Sequence, residues 1–298
     1  MASIREVYFA MLTHAYDNAG TDSAINLVIN QRGVDVVNHR FGDTPQQDQE
    51  RGQANLYSIP VISLVDDDAM DAGSARVEIL GDDAWEPEVL FLWGITRDTV
   101  PRRVVPLAIE TGIGAVLSTN DQGAVPSIPV RSVQAGDAAM EIRRLLLVLI
   151  TAGSIVNGMI ESDDGTDNRI ALEIVANNEL VVQHVIPDTP QDDLEPLQAN
   201  LYWIPVIVPF TRDSLDISAI RLSIDGTDMW LPQSLALFGV DSYDTRPDQI
   251  VPLVHLDPWE LGALSTDSDE GSDEVTLPLL PPPALDVQPP VIVAAPAD

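Results

Sequence analysis

The chain contains neither cysteine nor lysine. Without cysteine there is no disulfide, no thiolate metal site and no thiol nucleophile. Aromatic residues are scarce, at 5%, so a core has to come mainly from aliphatic side chains. No segment of the first half sustains a helical apolar period for three turns. The apolar stretch Leu145 to Ala152 falls far below the roughly 20 residues of a membrane-spanning helix. Met1-Ala2-Ser3-Ile4-Arg5-Glu6 lacks a charged lead followed by an apolar run, which predicts no signal peptide. Catalytic signatures are missing as well. There is no Gly-x-Ser-x-Gly elbow, no Gly-x-Gly-x-x-Gly turn and no phosphate loop. The histidines, His14, His39, His184 and His255, form no i, i+4 pair of the kind that ligates zinc. These absences predict a protein that is not an enzyme, carries no resident cofactor and works in the cytoplasm or inside a virion.

What the sequence has in excess is acid. Forty-seven aspartates and glutamates face fifteen arginines, for a formal net charge of −32. Such a surface repels nucleic acid, whose phosphates are bound by clustered cations, and it repels anionic membranes. Two readings follow. One is an electronegative face for a basic partner. The other is a halophilic proteome, in which counterions screen the self-repulsion and carboxylates hold water. Charge dispersed along a lysine-free chain favours the second.

The 298 residues also contain one plan twice. Asp43-Thr44-Pro45-Gln46 returns as Asp188 to Gln191, and Ala54-Asn55-Leu56-Tyr57 as Ala199 to Tyr202. Ile59-Pro60-Val61-Ile62 returns as Ile204 to Ile207, and Trp85-x-Pro87 as Trp230-x-Pro232. Each pair stands 145 positions apart. Short strand-like runs such as Val7 to Leu12, Ala24 to Ile29, Ala75 to Leu80 and Val89 to Ile95 alternate with turn-rich segments, the pattern of an antiparallel sandwich. Pro60 suits an edge strand or a bulge, because it has no amide to donate. We expect an all-β chain: a first sandwich over 1–122, a connector over 123–142 with a helical turn at Ala138 to Arg144, a second sandwich over 143–272, and an extended proline-rich arm over 273–298. Each sandwich is long enough to bury its own core.

Val7-Tyr8-Phe9, Thr13-His14 and Ala19-Gly20-Thr21-Asp22-Ser23 with the strand after them resemble the opening of the PLAT/LH2 domain, and Gly165-Thr166-Asp167 keeps part of it in the second copy. Arg76 to Asp83 and Arg221 to Asp228 are similar to that family's penultimate strand and turn. The tryptophan that the family places shortly before its last core leucine stands earlier here, as Trp85 and Trp230 before Leu90 and Leu235. The resemblance spans about 90 residues per copy and implies tandem PLAT/LH2-like or jelly-roll-like sandwiches that bind proteins or lipid surfaces without catalysis. Some relatives bind calcium in the loops at one end. Here that implies Asp17, Asp22, Asp82 and Asp83 in the first copy, and Asp164, Asp167, Asp225 and Asp228 in the second. The competing explanation is composition, since aspartate is common in turns for its own hydrogen bonding.

Trp85 and Trp230 each follow an acidic turn, where a tryptophan serves either as an interface anchor or as packing over the sandwich end. The arm carries Leu279, Leu280, Leu285, Val287, Val291 and Ile292 among seven prolines. That is too apolar for an ordinary solvated tail and too proline-rich for a core of its own. The expected function is therefore a non-enzymatic structural subunit of a larger assembly (particle, capsid, tail or sheath) from a halophilic host or its virus, joined to protein partners or neighbouring copies through the arm. The alternative is a calcium-dependent lipid- or carbohydrate-binding accessory module for a partner enzyme. With a net charge of −32, the melting temperature is expected to climb steadily from about 0.1 M to molar salt, beyond the range where Debye screening is already strong. A melting curve indifferent to salt would instead favour a dedicated acidic recognition face.

Overall fold

The structure, a computed structural model, describes residues 3–41, 49–66, 70–71, 73–96, 102–153, 155–156, 159–160, 165–186, 194–244 and 246–281. The first copy supplies β1 (Ser3–Thr13), β2 (Ile25–Gln31), β3 (Val34–Phe41), β4 (Ala54–Asp66), β5 (Ala75–Ile79), β6 (Pro87–Thr96), β7 (Val104–Thr111) and β8 (Ser127–Val130). A short β9 (Gln134–Ala135) leads to the second copy: β10 (Glu141–Thr151), a small hairpin of β11 (Ile155–Val156) and β12 (Met159–Ile160), β13 (Arg169–Ala176), β14 (Glu179–Ile186), β15 (Ala199–Thr211), β16 (Ile220–Asp225), β17 (Pro232–Val240), β18 (Gln249–Leu256) and β19 (Glu274–Thr276). No α-helix occurs among the described residues, and no helix there is long and apolar enough to cross a membrane.

Each copy is an antiparallel sandwich, as its alternating strands predict. The outer sheets run β3-β2-β5-β8 and β14-β13-β16-β19, the same order twice. The inner sheets, β7-β6-β1-β4 and β15-β10-β17-β18, also correspond strand for strand, but they are not separate. They join in one nine-stranded sheet, β7-β6-β1-β4-β15-β10-β17-β18-β9. The joint between β4 and β15 is the single pair Ala54 and Ala199. At the opposite edge the linker closes the gap. Ser132 bridges Ala108 of β7, and Gln134 and Ala135 then pair in parallel with Gln249 and Ile250 of β18.

This closure explains the two kinds of strand in the sequence. Successive side chains of a strand point to opposite faces. In β1, Val7, Phe9 and Met11 enter the first sandwich core, while Tyr8 and Ala10 enter a third core between the two inner sheets. In β10, Leu145, Leu147 and Leu149 line the second sandwich core, and Leu146 and Val148 the third. Strands buried on both faces read as unbroken apolar runs, whereas β5 and β13 alternate because one face meets solvent. The third core gathers aromatic side chains from both copies, Tyr8, Phe91 and Trp93 from the first and Phe238 from the second. Phe91 and Phe238, one from each copy, meet edge to face with centroids 4.8 Å apart, and Trp93, whose place in the first copy Phe238 takes in the second, contacts it at 5.4 Å.

The repeated words acquire separate jobs in this frame. Ala54 and Ala199 form the inter-copy pair. Asn55 and Asn200 accept the backbone amides of Gln49 (3.1 Å) and Leu194 (3.3 Å) through their Oδ1 atoms. Pro60 and Pro205 lie at register shifts where β4 and β15 bulge against β1 and β10, as a residue without an amide requires. The repeated Asp-Thr-Pro-Gln words lie outside the described residues.

Three expectations change. The helical turn at Ala138 to Arg144 is absent. Ala138 and Ala139 form a turn, and from Glu141 the chain is β10, which gains ladders to both β15 and β17. The segment read as connector also yields β8, the fourth strand of the first outer sheet, paired with β5. Likewise β19, drawn from the start of the arm, completes the second outer sheet against β16, with Leu277 buried just after it.

Gly94 and Gly239 occupy equivalent positions where the inner sheets press on their neighbours. A Cβ on Gly94 would stand 2.5 Å from Ile4 Cγ2, and one on Gly239 2.7 Å from Ile142 Cδ1. Gly239→Val is expected to cost about 1–3 kcal/mol by overpacking, read as a lower urea midpoint with an unchanged slope. An unchanged midpoint would mean that the sheet yields freely at this point.

Candidate interaction surface at the seam between the copies

The seam between the inner sheets carries the buried polar chemistry that the aliphatic cores exclude. Tyr8, 6% exposed, donates its hydroxyl to Asp257 Oδ2. Its ring stacks on Trp93 at 5.3 Å and meets the edge of His255 at 5.3 Å. Burial, then the hydrogen bond and charge of Asp257, push the Tyr8 phenol well above its ordinary range, so it stays a donor. Tyr8 and Trp93 come from the first copy, His255 and Asp257 from the second, and together they lock the copies. Beside them, Ser58 donates to Glu6 at 2.7 Å. The equivalent place in the second copy holds Arg144 over the Trp203 ring at 4.7 Å, its Nη1 donating to the Tyr243 carbonyl at 3.2 Å. Arg143 lies over the Tyr243 ring.

Repeat comparison is the signal that finds this cluster. By strand register Tyr8 stands where the second copy has Leu146, and His255 where the first has Ile109. Polar groups in one copy at positions apolar in the other mark a joint specific to this chain.

The residues singled out in the sequence have clear places. Trp85 and Trp230 are fully buried. Their indole N–H groups donate to Thr13 and Thr151, both at 3.0 Å, and their backbones bridge Leu117 and Leu264. Reading them as interface anchors is thus corrected: they pin the end of each sandwich and leave no surface for a partner.

The acidic turns bond mostly to themselves. Asp83 accepts the amide of Asp22 at 2.9 Å, and Asp228 accepts that of Asp167 at 3.4 Å. Thr21 and Thr166, both buried, accept the amides of Ser23 and Asn168, each at 3.0 Å. The Gly-Thr-Asp word is therefore a turn-building device. Asp17 pairs with Arg51 at an open cleft of about 730 Å³ that Asp22, Asp83 and Glu50 also line. Asp225 ends β16, Asp82 sits in the turn after Gly81, and Asp164 lies outside the described residues. Among the described residues no three acidic or histidine side chains gather as a metal would require.

Of the arm, Leu279 packs against the second core and the Leu280 amide donates to the Leu253 carbonyl of β18 at 2.8 Å. Leu285, Val287, Val291 and Ile292 lie outside the described residues. A second cleft, about 590 Å³, lies where the linker crosses the seam, lined by Val105, Pro106, Arg131 to Ala135 and Asp248. There Arg131 Nη2 donates to the Pro247 carbonyl at 2.6 Å, and Nη1 meets Asp248 at 3.2 Å.

No protein-family model matches the sequence, and no curated protein matches it. Among solved structures, the alpha toxin from Clostridium absonum is similar over 47% of this chain and 32% of its own, at 17% identity and a TM-score of 0.34.

Burial holds the His255 imidazole below its ordinary value of 6.5, with Asp257 and Glu6 pulling the other way; burial lowers His184 too. A histidine kept neutral by the fold binds its proton more readily in the unfolded chain. Stability is therefore whole above pH 6.5 and declines as pH falls below it. The free energy of unfolding by urea should fall between about pH 7.5 and pH 5.5. His255→Gln should make that fall shallower, while His184 keeps part of it. Equal slopes in the two proteins would remove His255 from the account.

Proposed function

We propose that this chain is a non-catalytic structural subunit, two PLAT/LH2-like sandwiches fused into one block, which joins a larger assembly through its C-terminal arm. The observation that carries the reading is the way the chain leaves the block. After β19 it lies against the edge of β18, held by the Leu280 amide, and seventeen residues follow Pro281. A block with three cores and a sheet shared between its halves makes a rigid carrier for such an arm. The dispersed acidity and the absence of lysine support an origin in a halophilic host or its virus, with a particle, capsid, tail or sheath as the kind of assembly. The accessory-module alternative draws less support, because the turn aspartates of both copies already accept backbone amides.

The test is truncation after Pro281. A cut at Asp273 would remove β19 and the buried Leu277, and so confound folding with assembly. The 1–281 protein should melt within a few degrees of the full chain in molar salt. It should also lose the higher-mass species, or the co-purifying partners, that native mass measurement shows for the full chain. Undiminished assembly by 1–281 would overturn the reading.

A further inference from the structure

The tail after β19 is the linker after β8 repeated. β8 and β19 stand 147 positions apart and pair with equivalent residues of β5 and β16. The linker then bonds its own copy, with the Val133 amide on the Leu107 carbonyl at 3.1 Å. The tail does the same 147 residues on, with the Leu280 amide on the Leu253 carbonyl at 2.8 Å. From there the linker crosses to the other copy. The amides of Gln134 and Gly136 reach the carbonyls of Asp248 (3.1 Å) and Ile250 (2.8 Å). The corresponding acceptors for the tail are the carbonyls of Arg102 and Val104 at the start of β7. Among the described residues, no donor from outside the sheet reaches either one.

The tail cannot use them as the linker uses theirs. Counted on by 147, Gln134 and Gly136 become Pro281 and Pro283, with Pro282 between them. Neither end residue has an amide to donate. Three consecutive prolines also favour an extended rod, which carries the chain about 9 Å onward at roughly 3.1 Å per residue. The first residues after the prolines with amides to donate form the proline-free run Ala284 to Gln288. Charge at the two junctions is reversed as well. At the linker junction the incoming strand brings Arg131 and the receiving end has Asp248. At the open junction the receiving end has Arg102 and Arg103, and the tail brings Asp286 and Asp298.

We propose that the arm is a strand donor in trans: Ala284 to Gln288 of one molecule adds to the β7 edge at Arg102–Val104 of a second copy of this chain, with the prolines barring the same closure within one molecule. Backbone bonds would supply affinity and the flanking side chains selectivity, as in other strand additions. This inference rests on the assembly reading above and names its partner.

The absence of native cysteine makes a clean test possible. Val104→Cys and Leu285→Cys proteins carrying different tags are mixed in molar salt and oxidised, and Arg103→Cys serves in place of Val104→Cys should that variant fold poorly. The expected product is a covalent V104C–L285C heterodimer, several-fold above either homodimer. It should be suppressed when Pro281→Ala and Pro283→Ala, which restore the two donors, are added to the Leu285→Cys protein. No heterodimer, homodimers alone, or a heterodimer left undiminished by Pro281→Ala and Pro283→Ala would each overturn the proposal. If 1–281 nevertheless loses a different co-purifying protein, the structural-subunit reading stands and only the choice of partner fails. If 1–281 loses nothing, both fail.

Discussion

The constraint on which the rest of this structure depends is that both faces of each inner sheet must be dry. A sandwich needs one apolar face per sheet; β1, β6, β10 and β17 have two. Tyr8, Phe91 and Trp93 on one side, and Leu146, Val148 and Phe238 on the other, cover each other. Burying aromatic and leucine side chains stabilises by roughly 1.5–3 kcal/mol each, so this third core is comparable in kind to those inside the sandwiches. The shared sheet, the polar lock at Tyr8 and the crossing linker all follow from holding that face in register.

Much of the architecture was legible in the sequence, because the physics behind it is local. Period-two alternation in β5 and β13 marks strands with one wet face, and the 145-residue recurrence marks a doubled plan. The unbroken runs in β1 and β10 were equally visible, yet their meaning depends on what covers the second face, which no local pattern discloses. The four residues of β8, Ser-Ile-Pro-Val, fall inside the segment expected to be connector, and nothing in so short a proline-containing run marks it as a strand. A strand of that length owes its existence to the β5 edge beside it.

The site was less legible. Tyr8 and Asp257 are 249 residues apart in sequence, and neither sits in a motif. The tryptophans misled because a Trp-x-Pro after an acidic turn looks like a surface feature. Their threonine partners, Thr13 and Thr151, come from the far end of strands that the repeat aligns only after seven extra residues in the second copy. Of the aspartates expected in turns, Asp225 instead ends β16, and backbone amides nearby claim Asp83 and Asp228 before any ion could.

The shared face also shapes how the chain is made. N-terminal parts of a protein begin folding while the rest is still being synthesised. The first outer sheet is complete once β8 has emerged, but the aromatic side of β1 and β6 waits for β10 and β17, which appear only as synthesis of the second copy proceeds. For that interval the nascent first half is a folded sandwich with one sticky wall. The acidic residues spread over its remaining surface then act as like-charge spacers between neighbouring nascent chains, keeping such walls apart until each receives its own second half.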